Sequence, residues 1–192
     1  MSTIIPKNTA LLVMDYQNGI AGRMPNIDEI VVKMKRTIET ARQAGITIGY
    51  VRVAFADEDY EKVPPTNKAF AGYVASRGMH ADDEATQIDS RIAPKEGDIV
   101  VRKVRYGAFS TTDLDKQLRA RGIDTLILAG FSTSGVVLST VRDAADKDYA
   151  IFVLEDLTGD PKQEVHDMLM QHVFPRQAEV ITSDELTKLL AL

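Results

Sequence analysis

The chain of 192 residues contains no cysteine, which removes disulfides, thiolate metal sites and a thiol nucleophile together. It contains no tryptophan either, and only six Phe and six Tyr. No apolar run approaches the length of a membrane span, and no charged-then-apolar leader pattern opens the chain. A cytoplasmic protein without a membrane partner is therefore expected. An excess of positive charge is also missing: 23 Lys and Arg against 28 Asp and Glu leave a net charge of -5. With no basic stripe, nucleic acid is not an expected partner. The three histidines, His80, His166 and His172, lack metal-ligand spacing, so neither a metal nor another cofactor is expected. What remains, 44% hydrophobic and 27% charged residues, suits one α/β domain over residues 1–192 with a sizeable core.

Short apolar runs alternate with amphipathic segments along the whole chain. Thr9 to Met14 reads as a strand ending in Asp15, followed by loop residues rich in Asn, Gly and Pro. Asn26 and Glu29 resemble a capping box before a helix whose apolar face is Ile27, Ile30, Val31, Met34, Ile38 and Ala41, stopped by Gly45. Ile46 to Val53 is a second strand, parallel to the first because a helix crosses between them. Ala54 to Pro94 is an excursion in which Phe55, Tyr60, Phe70 and Tyr73 either cover a pocket or a neighbouring subunit, or pack a small core of their own. Asp98 to Arg102 is a third strand with Lys103 at its end. Tyr106, Gly107 and Phe109 follow in a loop, and Thr111 or Thr112 caps a helix through Leu114 and Leu118. Tyr149 to Leu154 and Ala178 to Ile181 are the fifth and sixth strands. Pro161 opens the helix between them, with Val165, Met168, Leu169 and His172 or Val173 inward. Thr182 and Glu185 form another capping-box pattern before the last helix, Asp184 to Leu190. Strands and helices in strict alternation predict a three-layer α/β/α, doubly wound, six-stranded parallel sheet of Rossmann-like type.

The stretch Asp124 to Ala144 organises the rest. Leu126 to Ala129 is an apolar run of strand length ended by Gly130, and Ser132, Thr133 and Ser134 stand where the next helix needs its N-cap. A helix N-terminus at the carboxyl end of a buried strand offers free N–H groups to an anion. The three hydroxyls serve either that ligand or the cap alone. If the first, third and fourth strands lie side by side, Asp15, Lys103 and this turn converge on one crevice.

LLVMDYQNG around Asp15, PKEGDIVVRKVRYGAF around Lys103, and LILAGFSTSGVVLSTVRDAADKDYAIFVLEDL resemble, in the same order, the isochorismatase-like hydrolase superfamily, also called the cysteine hydrolases. The resemblance implies a six-stranded parallel sheet with helices on both faces and a site of Asp, Lys and Cys. It also implies a cis peptide at Phe131-Ser132, a small-molecule substrate or ligand, and a homo-oligomer. Counting back from Asp143-Ala144, the family cysteine falls on Val136, or on Gly135 with the frame shifted by one. A covalent thioester is thereby excluded, and an alcohol such as Ser134 or Thr133 needs a stronger base than a lone carboxylate to replace it. Isochorismatases also lack the cysteine and hydrolyse a vinyl ether that their Asp protonates. By that analogy Asp15 is a general acid and Lys103 orients it. The N–H groups of Thr133 to Val136 bind a carboxylate, and Gln17, Ser132, Thr133, Ser134, Gly135, Val136, Tyr106 and Phe109 line the substrate. The glutamine that isochorismatases carry near the end of the second strand is absent here, with Val53 closest to it, which argues against isochorismate itself. A neighbouring lysine lowers a carboxylate pKa, so the acid role requires burial to raise it again. The competing expectation is a catalytically silent member that binds a small molecule or a protein partner through the same crevice.

Overall fold

The apolar runs align as six parallel strands in the computed structural model, which describes residues 4–190. The strands are β1 (Thr9–Met14), β2 (Thr47–Val53), β3 (Ile99–Lys103), β4 (Thr125–Phe131), β5 (Ala150–Gly159) and β6 (Glu179–Ile181), in the order β3-β2-β1-β4-β5-β6. The chain thus starts in the middle, winds outward to one edge, crosses back and winds to the other. Alternate residues of each strand feed two separate cores, as the two-residue period of a strand dictates. Leu12, Met14, Val101, Leu126 and Leu128 meet the helices Leu114–Ala120 and Leu138–Asp146 on one face. Leu11, Val13, Ile127, Ala129 and Phe152 meet the helices Ile27–Gln43 and Ser183–Leu190 on the other. Three layers and a doubly wound parallel sheet are the observed architecture, as the alternation predicts. Among the described residues no helix is long and apolar enough to cross a membrane.

The element ends carry the departures. Asn26 sits in the left-handed region with φ 57 and makes no side-chain cap, so the expected capping box there does not form. Thr182 and Glu185 do form theirs: the Thr182 N–H donates to Glu185 Oε2 at 2.7 Å and the Glu185 N–H to Thr182 Oγ1 at 3.2 Å. Gly130 lies inside β4 instead of ending it, and β5 runs five residues past the expected end at Leu154. Its charged continuation is tolerated because Glu155 is exposed, while Asp156 pairs with Lys33 at 3.0 Å and accepts from the Ser183 N–H and hydroxyl at 2.8 Å. Beyond Pro161 the helix is Gln163–Met168, continued as a wider turn over Leu169–Val173. It buries Leu169 and Met170 and leaves Met168 exposed, which corrects the expected inward face. The excursion packs a small core, Phe55, Tyr60, Val63 and Phe70, against Val53 at the end of β2, and leaves Tyr73 exposed at its rim.

Candidate active site

The apolar run of β1 stops at Met14, and Asp15 turns into the left-handed region with φ 56, a conformation Asp accepts more readily than bulky residues. Its N–H still donates to the Val51 carbonyl at 2.8 Å, so the bend re-aims the side chain without breaking the pairing with β2. In β3, Ile99 and Val101 face the core beneath the Leu114–Ala120 helix, and the strand period sends Lys103 the same way. β3 is not beside β1, as the crevice argument supposed; β2 lies between them. The register nevertheless places Met14 opposite Val51 and Lys103 opposite Val53, so Asp15 and Lys103 are almost level across a gap of roughly 9.6 Å, two strand spacings. The lysine stem spans it. Nζ donates to Asp15 Oδ2 at 2.8 Å and to the Arg105 carbonyl at 3.1 Å.

Both charges are shut away from solvent, Asp15 being 4% and Lys103 1% exposed. Asp15 Oδ1 has no hydrogen-bond partner. Burial pushes the Asp15 carboxyl above its ordinary value, and the attraction of Lys103 offsets only part of that rise. Of the two opposing influences on Asp15, desolvation is the larger and the ion pair the smaller.

At the end of β4 the Phe131-Ser132 peptide is cis, at the position implied by the resemblance. Thr133–Val137 then forms a wide π-type turn leading into the Leu138–Asp146 helix. None of the three hydroxyls caps this turn in the expected way. Ser132 makes no side-chain cap, Thr133 Oγ1 is 2.8 Å from His166 Nδ1, and the Ser134 hydroxyl and N–H both donate to Asp160 Oδ2, at 2.6 and 2.8 Å. The Gly135 N–H is occupied as well, donating to the Ser132 carbonyl at 3.2 Å. Two of the four amides expected to hold a carboxylate are thus satisfied within the chain, and Asp160 supplies the carboxylate for one of them. A Cβ on Gly135 would lie 2.7 Å from Ser132 Oγ and 3.4 Å from the Tyr106 ring, so Tyr106, 51% exposed, lies against this turn. Val136, 1% exposed, belongs to the core on the same face as Lys103.

Two expected lining residues are placed elsewhere. Gln17 is wholly buried and spends its amide on backbone: Oε1 accepts from the Val53 N–H at 2.8 Å, and Nε2 donates to the Val53 and Thr86 carbonyls at 2.9 and 2.7 Å. It ties the loop after β1 to the end of β2 and to the excursion. Phe109 is packed in the core and stacks on Tyr149, ring centroids 6.0 Å apart. Asp160 and His166, conversely, hold the turn and were not singled out from the sequence. Neither carried a sequence signal, because the apolar pattern ends the strand at Leu154, well before Asp160.

Comparison with known proteins bears on this geometry. Residues 9–185 match the family model described as the isochorismatase domain. The isochorismatase family protein YwoC of Bacillus subtilis strain 168 is 34% identical over 93% of this chain and 92% of its own. The ureidoacrylate amidohydrolase RutB of Enterobacter sp. strain 638 is 32% identical over 81% of this chain and 77% of its own. Among solved structures, an isochorismatase family protein from Burkholderia thailandensis superposes with a TM-score of 0.84 at 27% identity, over 99% of this chain and 98% of that one.

Proposed function

Because the chain belongs to the isochorismatase family, we propose that it is a hydrolase of a small polar or carboxylated metabolite that works without a covalent thioester, with Asp15 as the general acid. The observation that carries this reading is the enclosed pair itself. Lys103 occupies Oδ2 of Asp15, Oδ1 is left without a partner, and burial favours the protonated carboxyl. In the acid form the proton sits on Oδ1 and passes to the bond being cleaved, while water supplies hydroxide to the other fragment. Asp15 recovers its proton from that water or from solvent. Lys103 holds the acid in place and steadies the carboxylate left behind. Val136 offers no lone pair, so the relatives' amide chemistry comes to this chain only through direct attack by water. The pair is buried, so a substrate reaches it only by displacing groups that cover it.

The test is turnover of a panel of carboxylated vinyl ethers and amides. A general acid contributes about 10²–10⁴-fold, so Asp15→Asn is expected to remove at least that much of kcat, and Lys103→Ala to lower it as well. The rate should fall as pH rises through the Asp15 pKa. Undiminished rates in either variant overturn the mechanism. The enclosure of Asp15 and Lys103 favours one other reading, a silent member that binds without turnover. Saturable ligand binding with no product from any panel member, and thiol-dependent amide hydrolysis gained only by Val136→Cys, would establish it.

A further inference from the structure

Next to the buried pair stands a cation without an anion. Lys103 is committed to Asp15, and Arg102, one residue earlier, to Asp59 at 2.5 Å. Arg105, two residues later, is half-buried and makes no ion pair among the described residues. Its Nη1 donates to the adjacent Val104 carbonyl at 2.6 Å, and its Nη2 reaches the Lys62 carbonyl only at 3.4 Å. A guanidinium carries five N–H donors in a flat fork, so most of them remain free, and a partly desolvated charge with no counter-charge favours the arrival of an anion. The guanidinium lies over the Phe70 ring, 5.7 Å from its centroid, and Phe70 packs against Tyr106 with centroids 5.1 Å apart. Tyr106 is half-exposed and borders Gly135 in the turn after β4. The Arg105 carbonyl is itself 3.1 Å from Lys103 Nζ, so this side chain springs from the backbone that touches the pair.

We propose that Arg105 holds the carboxylate of the substrate, and that a flat apolar body next to that carboxylate lies against Tyr106 and Phe70. Given the proposed hydrolysis, on which this assignment rests, the substrate class is a monocarboxylate with an unsaturated or aromatic body. The turn Thr133–Val137, the holder expected from the sequence, has already given the Ser134 and Gly135 amides to Asp160 and Ser132. Parallel N–H groups of one guanidinium match the two oxygens of a carboxylate. A phosphate dianion would call for a second free cation, whereas Lys62 is paired with Asp59 and Arg77 with Asp57. Aromatic faces beside the guanidinium suit a flat body better than a branched or sugar-like one.

Titration with benzoate, against benzamide as the uncharged analogue, read at the amide resonances of Arg105, Tyr106 and Gly107, tests this without requiring turnover. Benzoate is expected to shift these resonances saturably, more weakly as salt rises, and benzamide to bind about tenfold more weakly. Arg105→Gln alters one half-buried side chain and is expected to raise the benzoate Kd about tenfold while leaving benzamide where it was. Arg105→Lys keeps the charge and loses the fork, so its Kd should fall between the two. For any panel member that turns over, Arg105→Gln is expected to raise KM for the carboxylate and not for its carboxamide. No saturable shift up to ~10 mM, equal affinity for benzamide, or an unchanged Kd in both Arg105 variants overturns the role of Arg105. Benzoate binding that depends on Arg105, with no product from any panel member, keeps the carboxylate site and removes the hydrolysis. Turnover of carboxylates with KM unmoved by Arg105→Gln removes Arg105 and keeps the hydrolysis.

Discussion

A carboxylate and an ammonium 2.8 Å apart ordinarily read as an ion pair that keeps the acid ionised, and at Asp15 the opposite balance holds. Desolvation is the larger influence, and Lys103 is what restrains it. A carboxyl whose folded pKa is raised contributes stability that is fully present below its unfolded pKa, about 3.9, and is lost as pH rises through the folded value. Lys103→Met removes the restraint, so this variant should show the loss most steeply. Its unfolding free energy in urea is expected to fall with rising pH above 4, by up to about 1.4 kcal/mol per pH unit, more steeply than wild type. The double variant Asp15→Asn/Lys103→Met has neither charge, and this pH dependence should vanish. Replacing a buried pair by neutral groups is expected to cost nothing or to gain about 1–4 kcal/mol. A single variant whose stability is flat between pH 4 and 7 would refute the balance. At this scale the sequence was legible where a charge interrupts an apolar run, as at Asp15 and Lys103, because strand ends define where such a residue must sit. It was not legible for Gln17 and Phe109, since side-chain direction in a loop follows no period.

The turn Thr133–Val137 is held from outside by another strand's end. Asp160 follows β5 directly and accepts two hydrogen bonds from Ser134, the service an N-cap residue renders from within its own segment. Asp160→Ala is therefore expected to cost about 0.5–2 kcal/mol, the range measured for lost caps, read as a lower urea midpoint with unchanged m. Asp160→Asn keeps an acceptor and should recover much of it. No destabilisation by the Ala variant would show that the bond to Ser134 does not support the turn. The expectation that local hydroxyls cap this helix failed for the same reason that Asp160 went unseen. Glu155 and Asp156 break the apolar run of β5, so a pattern of hydrophobicity alone stops the strand at Leu154. The actual strand continues to Gly159, past a register irregularity against β4 between Leu128 and Gly130. Long-range neutralisation by Lys33 and Ser183 is invisible in a window of ten residues. Where both partners of a cap lie three residues apart, as at Thr182 and Glu185, the sequence suffices, although the same spacing at Asn26 and Glu29 does not guarantee it.

Across the molecule the apolar side chains divide into two cores on the faces of the sheet and a third, smaller cluster inside the excursion. The alternation of strands and helices was enough to predict the layers, while the order β3-β2-β1-β4-β5-β6 depends on which faces the helices cover and is not written in any local pattern. The small cluster is built from Phe55, Tyr60 and Phe70, with ring centroids 5.4 and 6.0 Å from Phe55. Its backbone bonds, such as the Ala81 N–H to the Phe55 carbonyl and the Gly78 N–H to the Tyr73 carbonyl, both 2.8 Å, are closed largely within the excursion. A segment whose packing and hydrogen bonds are largely internal can open while the sheet stays folded. Leu128→Ala cuts a fully buried side chain from the central strand β4 and is expected to cost about 2–5 kcal/mol. Native-state hydrogen exchange should show that cost in full at amides of β1 and β4, while the opening free energy at Ala81 and Gly78 stays where it is. Phe70→Ala should lower the opening free energy at Ala81 and Gly78. If Leu128→Ala weakens Ala81 and Gly78 as much as it weakens β4, the excursion has no independent opening, and the entire chain unfolds as one unit.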